Sequence, residues 1–184
     1  MRRILFGLGL TSALVLLSGF DKQLPEGPVG FGSGDDPSAC DLVTGNLVMN
    51  CGFDPTGMFP PWVQSGDLSA TAIDAFSAHT GTYGLDAGPV TNLGFITQNI
   101  ATGDGGAMHH LSFWLANVGG TPNRFQLSWE GNIIMDERDM PPFDYRRYDF
   151  DVFACGNTSE LKFGFYQAPT YFHFDDVVLV RSTD

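Results

Sequence analysis

The chain has 184 residues, of which 43% are hydrophobic, and a formal net charge of −12 at neutral pH. This apolar content excludes wholesale disorder, because the chain can bury a core. The shortage of Lys and Arg disfavours nucleic acid and anionic membrane surfaces as partners, since both require clustered positive charge. An acidic surface suits neutral ligands or cations instead. The 23 Gly and 11 Pro predict many turns, and therefore many short strands.

The amino terminus has the order of a secretory signal peptide. A pair of arginines at 2–3 precedes an apolar run at 4–17, and small residues follow at 18–19. The run is shorter than the roughly 20 residues with which a helix crosses a bilayer, so we predict a signal peptide over 1–20. A retained amino-terminal anchor is the alternative. After cleavage we expect no integral membrane segment and a protein that is secreted, periplasmic or held at a bacterial cell surface.

The segment that follows the signal is expected to be a flexible linker. Seven of the 19 residues in 21–39 are Gly or Pro, and no apolar periodicity runs through them. Such a composition gives a mobile chain that does not join a core. No internal repeat or second domain is evident beyond it. We therefore expect one folded domain over residues 40–184.

Three cysteines, Cys40, Cys51 and Cys155, form an odd set in a chain predicted to be exported. An oxidising compartment favours one bridge and one free thiol. We predict a Cys40–Cys51 disulfide, because these two lie close in sequence and closing so short a loop would stabilise the fold by roughly 3 kcal/mol. Cys155 is then expected to be half-buried at the end of a strand. Three reduced cysteines are the alternative, and a metal site is disfavoured because no C-x-x-C spacing occurs.

Alternation of apolar and polar residues dominates the chain from residue 46 onward, and helix signals are absent. In the segment 109–115, Leu111, Phe113 and Leu115 fall on one face, which indicates a half-buried strand. The same alternation recurs at 124–130, 148–152, 161–166 and 171–174. Turn residues separate these segments, and the pattern predicts an all-β, antiparallel β-sandwich. Trp62 and Trp129 are expected in its core.

Four segments, taken in order, resemble a known family. They are Asn46–Asp54 (NLVMNCGFD), His79–Leu85 (HTGTYGL), Leu111–Leu115 (LSFWL) and Phe172–Val177 (FHFDDV). This order resembles the carbohydrate-binding modules of families 4 and 9, within the galactose-binding-domain-like jelly rolls. It covers about residues 46–180 and extends to small exported bacterial domains of this class, which often carry a carboxy-terminal sorting signal. The resemblance implies a jelly-roll β-sandwich that binds carbohydrate.

The same resemblance implies a structural Ca²⁺ ion. Asp54 and Asp175 would supply carboxylates, and backbone carbonyls near residues 80–83 would add neutral oxygens. Ca²⁺ binds six to eight such oxygen ligands. Asp54 stands where the family usually has Glu, so its side chain is one methylene shorter. The alternative is that Asp54 forms an Asx turn and Asp175 accepts hydrogen bonds from the backbone.

Sugar rings present apolar C–H faces and a rim of hydroxyls, so a binding site needs an aromatic platform with polar groups at its edge. Trp114 points away from the core side of its strand and is the first candidate platform, followed by Tyr166 and Tyr171. The polar candidates for contact with hydroxyls are Gln98, Asn117, Arg124, Gln126 and His173. Burial of Trp114 under a loop or a sheet is the alternative. Whether these residues share one sheet is left to the tertiary structure.

Signatures of catalysis are absent from the sequence. It holds four Glu, and neither a G-x-S-x-G elbow, a P-loop nor a zinc motif occurs. Adjacent His109 and His110 would point to opposite faces of a strand and could not share a metal there. We predict a secreted, non-catalytic carbohydrate-binding protein whose partner is an extracellular or cell-surface polysaccharide or glycoconjugate. The alternatives are a structural or adhesive extracellular β-sandwich without sugar recognition, and a small hydrolase or lyase.

Overall fold

A computed structural model describes residues 36–54, 57, 59–103 and 105–183 of the chain. The predicted signal peptide and most of the predicted linker lie outside these residues. A short 3-10 helix, Ala39–Leu42, opens the described part. Among the described residues, no helix is long and apolar enough to cross a membrane.

Ten strands follow the 3-10 helix. In chain order they are β1 (Val63–Gly66), β2 (Ala72–Asp74), β3 (Gly84–Ala87), β4 (Gly94–Ala101), β5 (Ala107–Asn117), β6 (Asn123–Trp129), β7 (Asn132–Arg138), β8 (Phe143–Ala154), β9 (Thr158–Gln167) and β10 (Phe172–Arg181). They form two five-stranded sheets. Sheet A has the order β1-β4-β9-β6-β7, and sheet B has the order β2-β3-β10-β5-β8. Neighbouring strands pair antiparallel throughout, which confirms the predicted jelly-roll β-sandwich.

A phenylalanine cluster fills the space between the sheets. Phe113 of β5 packs edge-on against Phe163 of β9 at 5.1 Å between ring centroids, and Phe163 lies 4.6 Å from Phe174 of β10. All three side chains are fully buried. Complete burial of one such side chain is worth about 1.5–3 kcal/mol, so this cluster is a main source of stability. Trp62 and Trp129 are also buried, as predicted.

The alternation read from sequence correctly assigns the inward side chains. Leu111, Phe113 and Leu115 of β5 are fully buried, and so are Phe125 and Leu127 of β6. Because successive side chains of a strand point to opposite faces, the residues between them form the outer surfaces of the two sheets. A ligand can contact the protein at these outer surfaces.

The Cys40–Cys51 disulfide is present, with an S–S distance of 2.01 Å, and it confirms that prediction. Cys155 differs from the expectation, because it is exposed and not half-buried. It follows the last residue of β8, where the chain has left the sheet and its side chain meets solvent. Ser38 also differs from the expected linker: its side chain is fully buried against the domain.

Candidate functional site

The candidate ligand residues fall on two different sheets. Trp114 of β5 and His173 of β10 lie on the outer face of sheet B, where Trp114 pairs across to Asp175 and Arg147. Tyr171 immediately precedes β10 and is partly exposed. The remaining surface candidates, Arg124 and Gln126 of β6 and Tyr166 of β9, belong to the outer face of sheet A. The eight candidates therefore do not form a single binding surface.

Gln98 and Asn117 are buried and serve the fold, in contrast to the expectation that they face a ligand. The Gln98 side-chain amide donates to the Met49 carbonyl at 2.9 Å and accepts from the Met49 N–H at 2.9 Å. The Asn117 amide donates to the Met140 carbonyl at 2.9 Å and accepts from Gln167 at 2.6 Å. A buried amide must have its hydrogen bonds satisfied, and here loops and a strand of the opposite sheet satisfy them.

On the outer face of sheet A, the side chains contact one another. The Arg124 guanidinium donates twice to Asp136, at 2.6 and 2.8 Å, and this bond lowers the pKa of the Asp136 carboxyl. The Lys162 ammonium lies 4.3 Å from the centroid of the Phe95 ring. Gln126 is largely buried among these neighbours. Charged groups that already have partners in the fold are weak candidates for binding an uncharged ligand.

Trp114 is half-buried because one face of its indole is covered. The His79 ring stacks on it at 3.9 Å between centroids and at an angle of 19°. His79 is itself held by a 2.7 Å hydrogen bond between its Nδ1 and the buried Asp176 carboxylate. The Tyr145 ring approaches His79 edge-on at 4.9 Å. Trp114 is therefore held in place by His79, and at most one face of its indole is available to a sugar ring.

A cleft of about 720 Å³ lies beside this stack, at the end of sheet B where β5 finishes and β8 begins. Tyr145 belongs to both, since it contacts His79 and lines the cleft. The walls combine aromatic and small apolar side chains with a few polar ones: Phe76, Ala78, Ala116, Asn117, Val118, Pro142, Phe143, Asp144, Tyr145 and His173. Its size falls within the range of about 300–1,000 Å³ that is usual for small-molecule sites.

Phe76 is the most exposed large apolar side chain of the cleft, with 87% of its surface accessible. It lies in the turn between β2 and β3, and hydrogen bonds hold the backbone of that turn. The Asp74 carboxylate accepts hydrogen bonds from the N–H groups of Phe76, at 2.8 Å, and Ser77, at 3.1 Å. The Tyr145 hydroxyl donates to the Ser77 carbonyl at 2.5 Å. These hydrogen bonds fix the backbone of the turn, and the Phe76 side chain projects from it into solvent.

Sequence reasoning missed Phe76, although a local signal was present. The segment from Asp74 to Ser77 reads DAFS, in which an Asp can accept hydrogen bonds from the N–H groups two and three residues later. An aromatic residue inside such a turn cannot alternate into the core as a strand residue would. That combination could have identified Phe76 as an outward-facing ring.

The polar groups of the cleft are incompletely paired. His173 Nε2 lies 3.2 Å from Asp86 Oδ1, within ion-pair distance, but the angle is not that of a hydrogen bond, and Asp86 Oδ1 is left without a hydrogen-bond partner. The Asp144 carboxylate is exposed and has neither a hydrogen bond nor an ion pair to any residue that the structure describes. The exposed Asp144 carboxylate can therefore accept hydrogen bonds from a ligand without breaking a contact among the described residues.

Asp54, one of the two residues expected to bind calcium, is buried and fully hydrogen-bonded. Its carboxylate accepts from the Ser38 hydroxyl at 2.5 Å and from the Tyr83 N–H at 3.0 Å. The Thr82 N–H donates to the same carboxylate at 3.2 Å. Gly81 has a φ of +69°, and any side chain there would overlap Asp54 and Ser38. The close approach of this glycine turn is what brings the N–H donors to the carboxylate.

Asp175 and Asp176 complete a buried acidic cluster with Asp54. Asp175 accepts hydrogen bonds from the N–H groups of His79 at 2.7 Å and Thr80 at 3.2 Å, and a further one from Asp176 at 2.7 Å. Asp176 accepts from the Cys40 N–H at 3.1 Å and the Thr80 hydroxyl at 2.7 Å. Burial, and then the charge of Asp176, raises the pKa of the Asp175 carboxyl well above its usual value.

The arrangement of this cluster does not fit the Ca²⁺ site that the resemblance implies. Calcium needs six to eight oxygen ligands, whereas the turn at 79–83 directs N–H groups towards the carboxylates of Asp54 and Asp175. The Ser38 hydroxyl also fills the space beside Gly52, where a side chain would overlap it. A cation would have to displace these donors. Ca²⁺ binding therefore stays a prediction of the resemblance.

Comparison with known proteins adds information on the fold. No protein-family model and no curated protein sequence matches the chain. Among solved structures, TmCBM61 in complex with β-1,4-galactotriose superposes with a TM-score of 0.62 and 20% identity, over 74% of this chain and 99% of its own. The CBM22-1 xylan-binding domain of Paenibacillus barcinonensis Xyn10C gives 0.52 and 12% identity, over 72% and 92% of the two chains.

A third similar structure is the K1 cleaved adhesin domain of Lys-gingipain from Porphyromonas gingivalis, with a TM-score of 0.55 and 11% identity, over 72% of this chain and 96% of that one. At such identities the likeness shows the fold alone. This protein therefore shares the β-sandwich of carbohydrate-binding modules and of adhesin domains, which confirms the fold expected from the sequence motifs.

Proposed function

We propose that this chain is a secreted, non-catalytic carbohydrate-binding domain, similar to families 4 and 9, that takes up glycan in the cleft beside Phe76. The observation that carries the proposal is Phe76 itself, a ring 87% exposed on a braced turn of that cleft. Removing this apolar surface from water on binding is favourable. Stacking against the C–H face of a sugar ring would remove that surface from water.

The surroundings of Phe76 support a sugar more than a wholly apolar ligand. His173 and Asp144 contribute polar groups to the same cleft, and both lie where they can meet hydroxyls. Trp114 and Tyr171, the platforms predicted from sequence, belong to the same sheet face and the same end of the domain. They would extend the surface beyond the cleft and would contact further sugar units of a polysaccharide.

We assign the His79–Asp176 pair to the fold and not to catalysis. The His79–Asp176 pair has the hydrogen bond that joins a general base to its orienting acid. However, the His79 ring is stacked on Trp114 and contacted edge-on by Tyr145, so packing already explains its position. Turnover of a glycan that is lost on substitution of His79 or of one Asp or Glu would support the hydrolase or lyase alternative instead.

Export and calcium remain parts of the proposal. The Cys40–Cys51 disulfide supports an oxidising compartment, because such bridges persist outside the reducing cytosol. A polysaccharide or glycoconjugate outside the cell or on its surface would then be the partner. Structural Ca²⁺ is the part of the proposal that the geometry supports least, because the carboxylates of the acidic cluster are already hydrogen-bonded, and treatment with chelator tests it.

The test is retention of the domain on immobilised glycans with a matched pair of variants. Phe76→Ala removes the exposed ring of the cleft, whereas Phe153→Ala removes a ring that is 50% exposed on β8, far along the strand from the cleft. We expect Phe76→Ala to weaken retention at least about tenfold, equal to 1.4 kcal/mol, and Phe153→Ala to leave it unchanged. Both variants should melt like the parent, because the rings are on the surface.

Two outcomes would contradict the proposal. If both variants lose retention equally, the cleft is not the site. If the folded parent is retained on no glycan of a broad array, the structural or adhesive alternative replaces the carbohydrate-binding function. That alternative is compatible with the same fold, because adhesin domains share it.

A further inference from the structure

The charge around the cleft is one-sided. Asp144 lies on its lining, and none of the described lining residues is Lys or Arg. Behind His173, the Asp86 Oδ1 atom is buried and accepts no hydrogen bond. Asp74 is close as well, at the base of the Phe76 turn. One carboxylate, that of Asp144, thus lines the cleft, those of Asp86 and Asp74 lie behind its lining, and His173 is the lining residue that can carry positive charge.

Tyr145, which lines the cleft, is also close to several carboxylates. Burial raises the pKa of the Tyr145 hydroxyl, and the charges of Asp175, Asp176 and Asp86 raise it further. Each of these effects disfavours a second negative charge at this position. The charges of the carboxylates would attract a cation near this position, whereas burial disfavours a charge of either sign.

Two arginines of β8 lie near the cleft. The Arg147 guanidinium forms an ion pair with the Asp149 carboxylate at 2.9 Å, and the Arg146 guanidinium lies 4.7 Å from the centroid of the ring of Phe143, which lines the cleft. Of the other basic residues that the structure describes, three belong to sheet A (Arg124, Arg138 and Lys162) and Arg181 ends β10. Among the described Lys and Arg residues, Arg146 is therefore the one placed against a lining side chain of the cleft.

We infer that the cleft recognises glycan bearing protonated amino groups, that is, polysaccharide built from 2-amino-2-deoxy sugars. This inference rests on the proposed function and specifies its ligand class. An ammonium group offers three donors and one charge, which match the unpaired Asp144 carboxylate. The faces of Phe76 and Tyr145 add cation–π attraction for the same group. A neutral sugar would gain the stacking without the charge pairing, and a uronate would be repelled.

The experiment uses three polymers with the same β-1,4 backbone that differ at carbon 2. Chitosan carries an ammonium group there, chitin an acetamide and cellulose a hydroxyl. With the full mature domain at pH 5.5 and physiological ionic strength, we expect retention on chitosan to exceed that on chitin and cellulose by at least about tenfold. Asp144→Asn should reduce retention on chitosan about tenfold more than it reduces retention on the two uncharged polymers, since only chitosan loses a charge pair.

Controls separate this site from general attraction between an acidic protein and a polycation. Glu137→Gln removes the same charge from β7 of sheet A, and Phe76→Ala removes the cleft ring without changing the charge. Recognition in the cleft predicts that Phe76→Ala loses the preference for chitosan and Glu137→Gln keeps it. Soluble glucosamine oligomers should also compete at lower amine concentration than polylysine.

The outcomes distinguish the two levels of the argument. Equal effects of Asp144→Asn and Glu137→Gln, or equal competition by polylysine, would overturn the inference and assign retention to bulk charge. Retention on all three polymers to the same extent, still lost in Phe76→Ala, would overturn the amine preference but leave the glycan site standing. Retention that is insensitive to Phe76→Ala on every polymer would overturn the proposed function as well.

Discussion

Two groups of carboxylates lie on either side of His79 and Tyr145, and they differ in whether their oxygens accept hydrogen bonds. In the buried acidic cluster, Asp54, Asp175 and Asp176 accept hydrogen bonds from backbone and hydroxyl donors on every side. In the cleft, Asp144 has no partner in the described part of the chain, and Asp86 Oδ1 accepts no hydrogen bond. Satisfied buried groups hold the fold, whereas the exposed and unpaired Asp144 carboxylate is available to a ligand.

The comparison predicts its largest effect on stability at Asp175. Asp175→Ala would leave the N–H groups of His79, Thr80 and Asp176 without an acceptor in a buried site. We expect a loss of about 3–5 kcal/mol in the free energy of unfolding, measured by urea denaturation. Asp144→Ala, which breaks no hydrogen bond, is the control and should unfold like the parent. Equal unfolding curves for the two variants would refute the division into structural and functional carboxylates.

Trp114→Ala is expected to give an intermediate result, because Trp114 belongs to both regions. Loss of its stack on His79 should cost about 1 kcal/mol or more in the free energy of unfolding. Retention on glycan should fall less than in Phe76→Ala, since one face of the indole is covered. If the variant keeps full stability but loses all retention, Trp114 and not Phe76 is the main platform, and the site shifts along β5.

Chelator treatment should give the smallest effect. Because hydrogen-bond donors already surround Asp54 and Asp175, we expect the melting temperature at neutral pH to be the same with EDTA and with added Ca²⁺. A tightly bound structural ion would instead stabilise the native state by an amount that grows with its concentration, and EDTA would remove that gain. A clear drop in melting temperature with EDTA would restore the calcium prediction and require Ser38 to leave its place in the cluster.

Part of the architecture could be predicted because it depends on local pattern. The alternation around Phe113, Phe125 and Phe163 identifies strands and their inward faces, since successive strand residues point in opposite directions. The Cys40–Cys51 bridge follows from short separation and compartment. Residue type was the misleading signal for Gln98, because its polar side chain suggests the surface, whereas alternation with Ile96 and Ile100 places it inward as a buried polar residue.

The candidate site could be predicted only in fragments. Trp114 and His173 were correctly placed on an outer face, but they were grouped with Arg124 and Gln126, which the strand order assigns to the other sheet. Period-two alternation distinguishes inside from outside and carries no information on which sheet a strand joins. Phe76 was missed because an isolated aromatic residue in a turn has no periodicity to interpret.

By itself, the sequence determined the layered β-sandwich, the inward phenylalanines, the disulfide and the acidic character of the surface, all of which depend on residue type and short-range spacing. Only the tertiary structure decided which carboxylates are satisfied and which face a cleft, because that depends on contacts between segments far apart in the chain. Ser38 and Asp54 are 16 residues apart, and His79 and Asp175 are 96 apart. Such pairings are set by strand order and turn geometry, which no local pattern encodes.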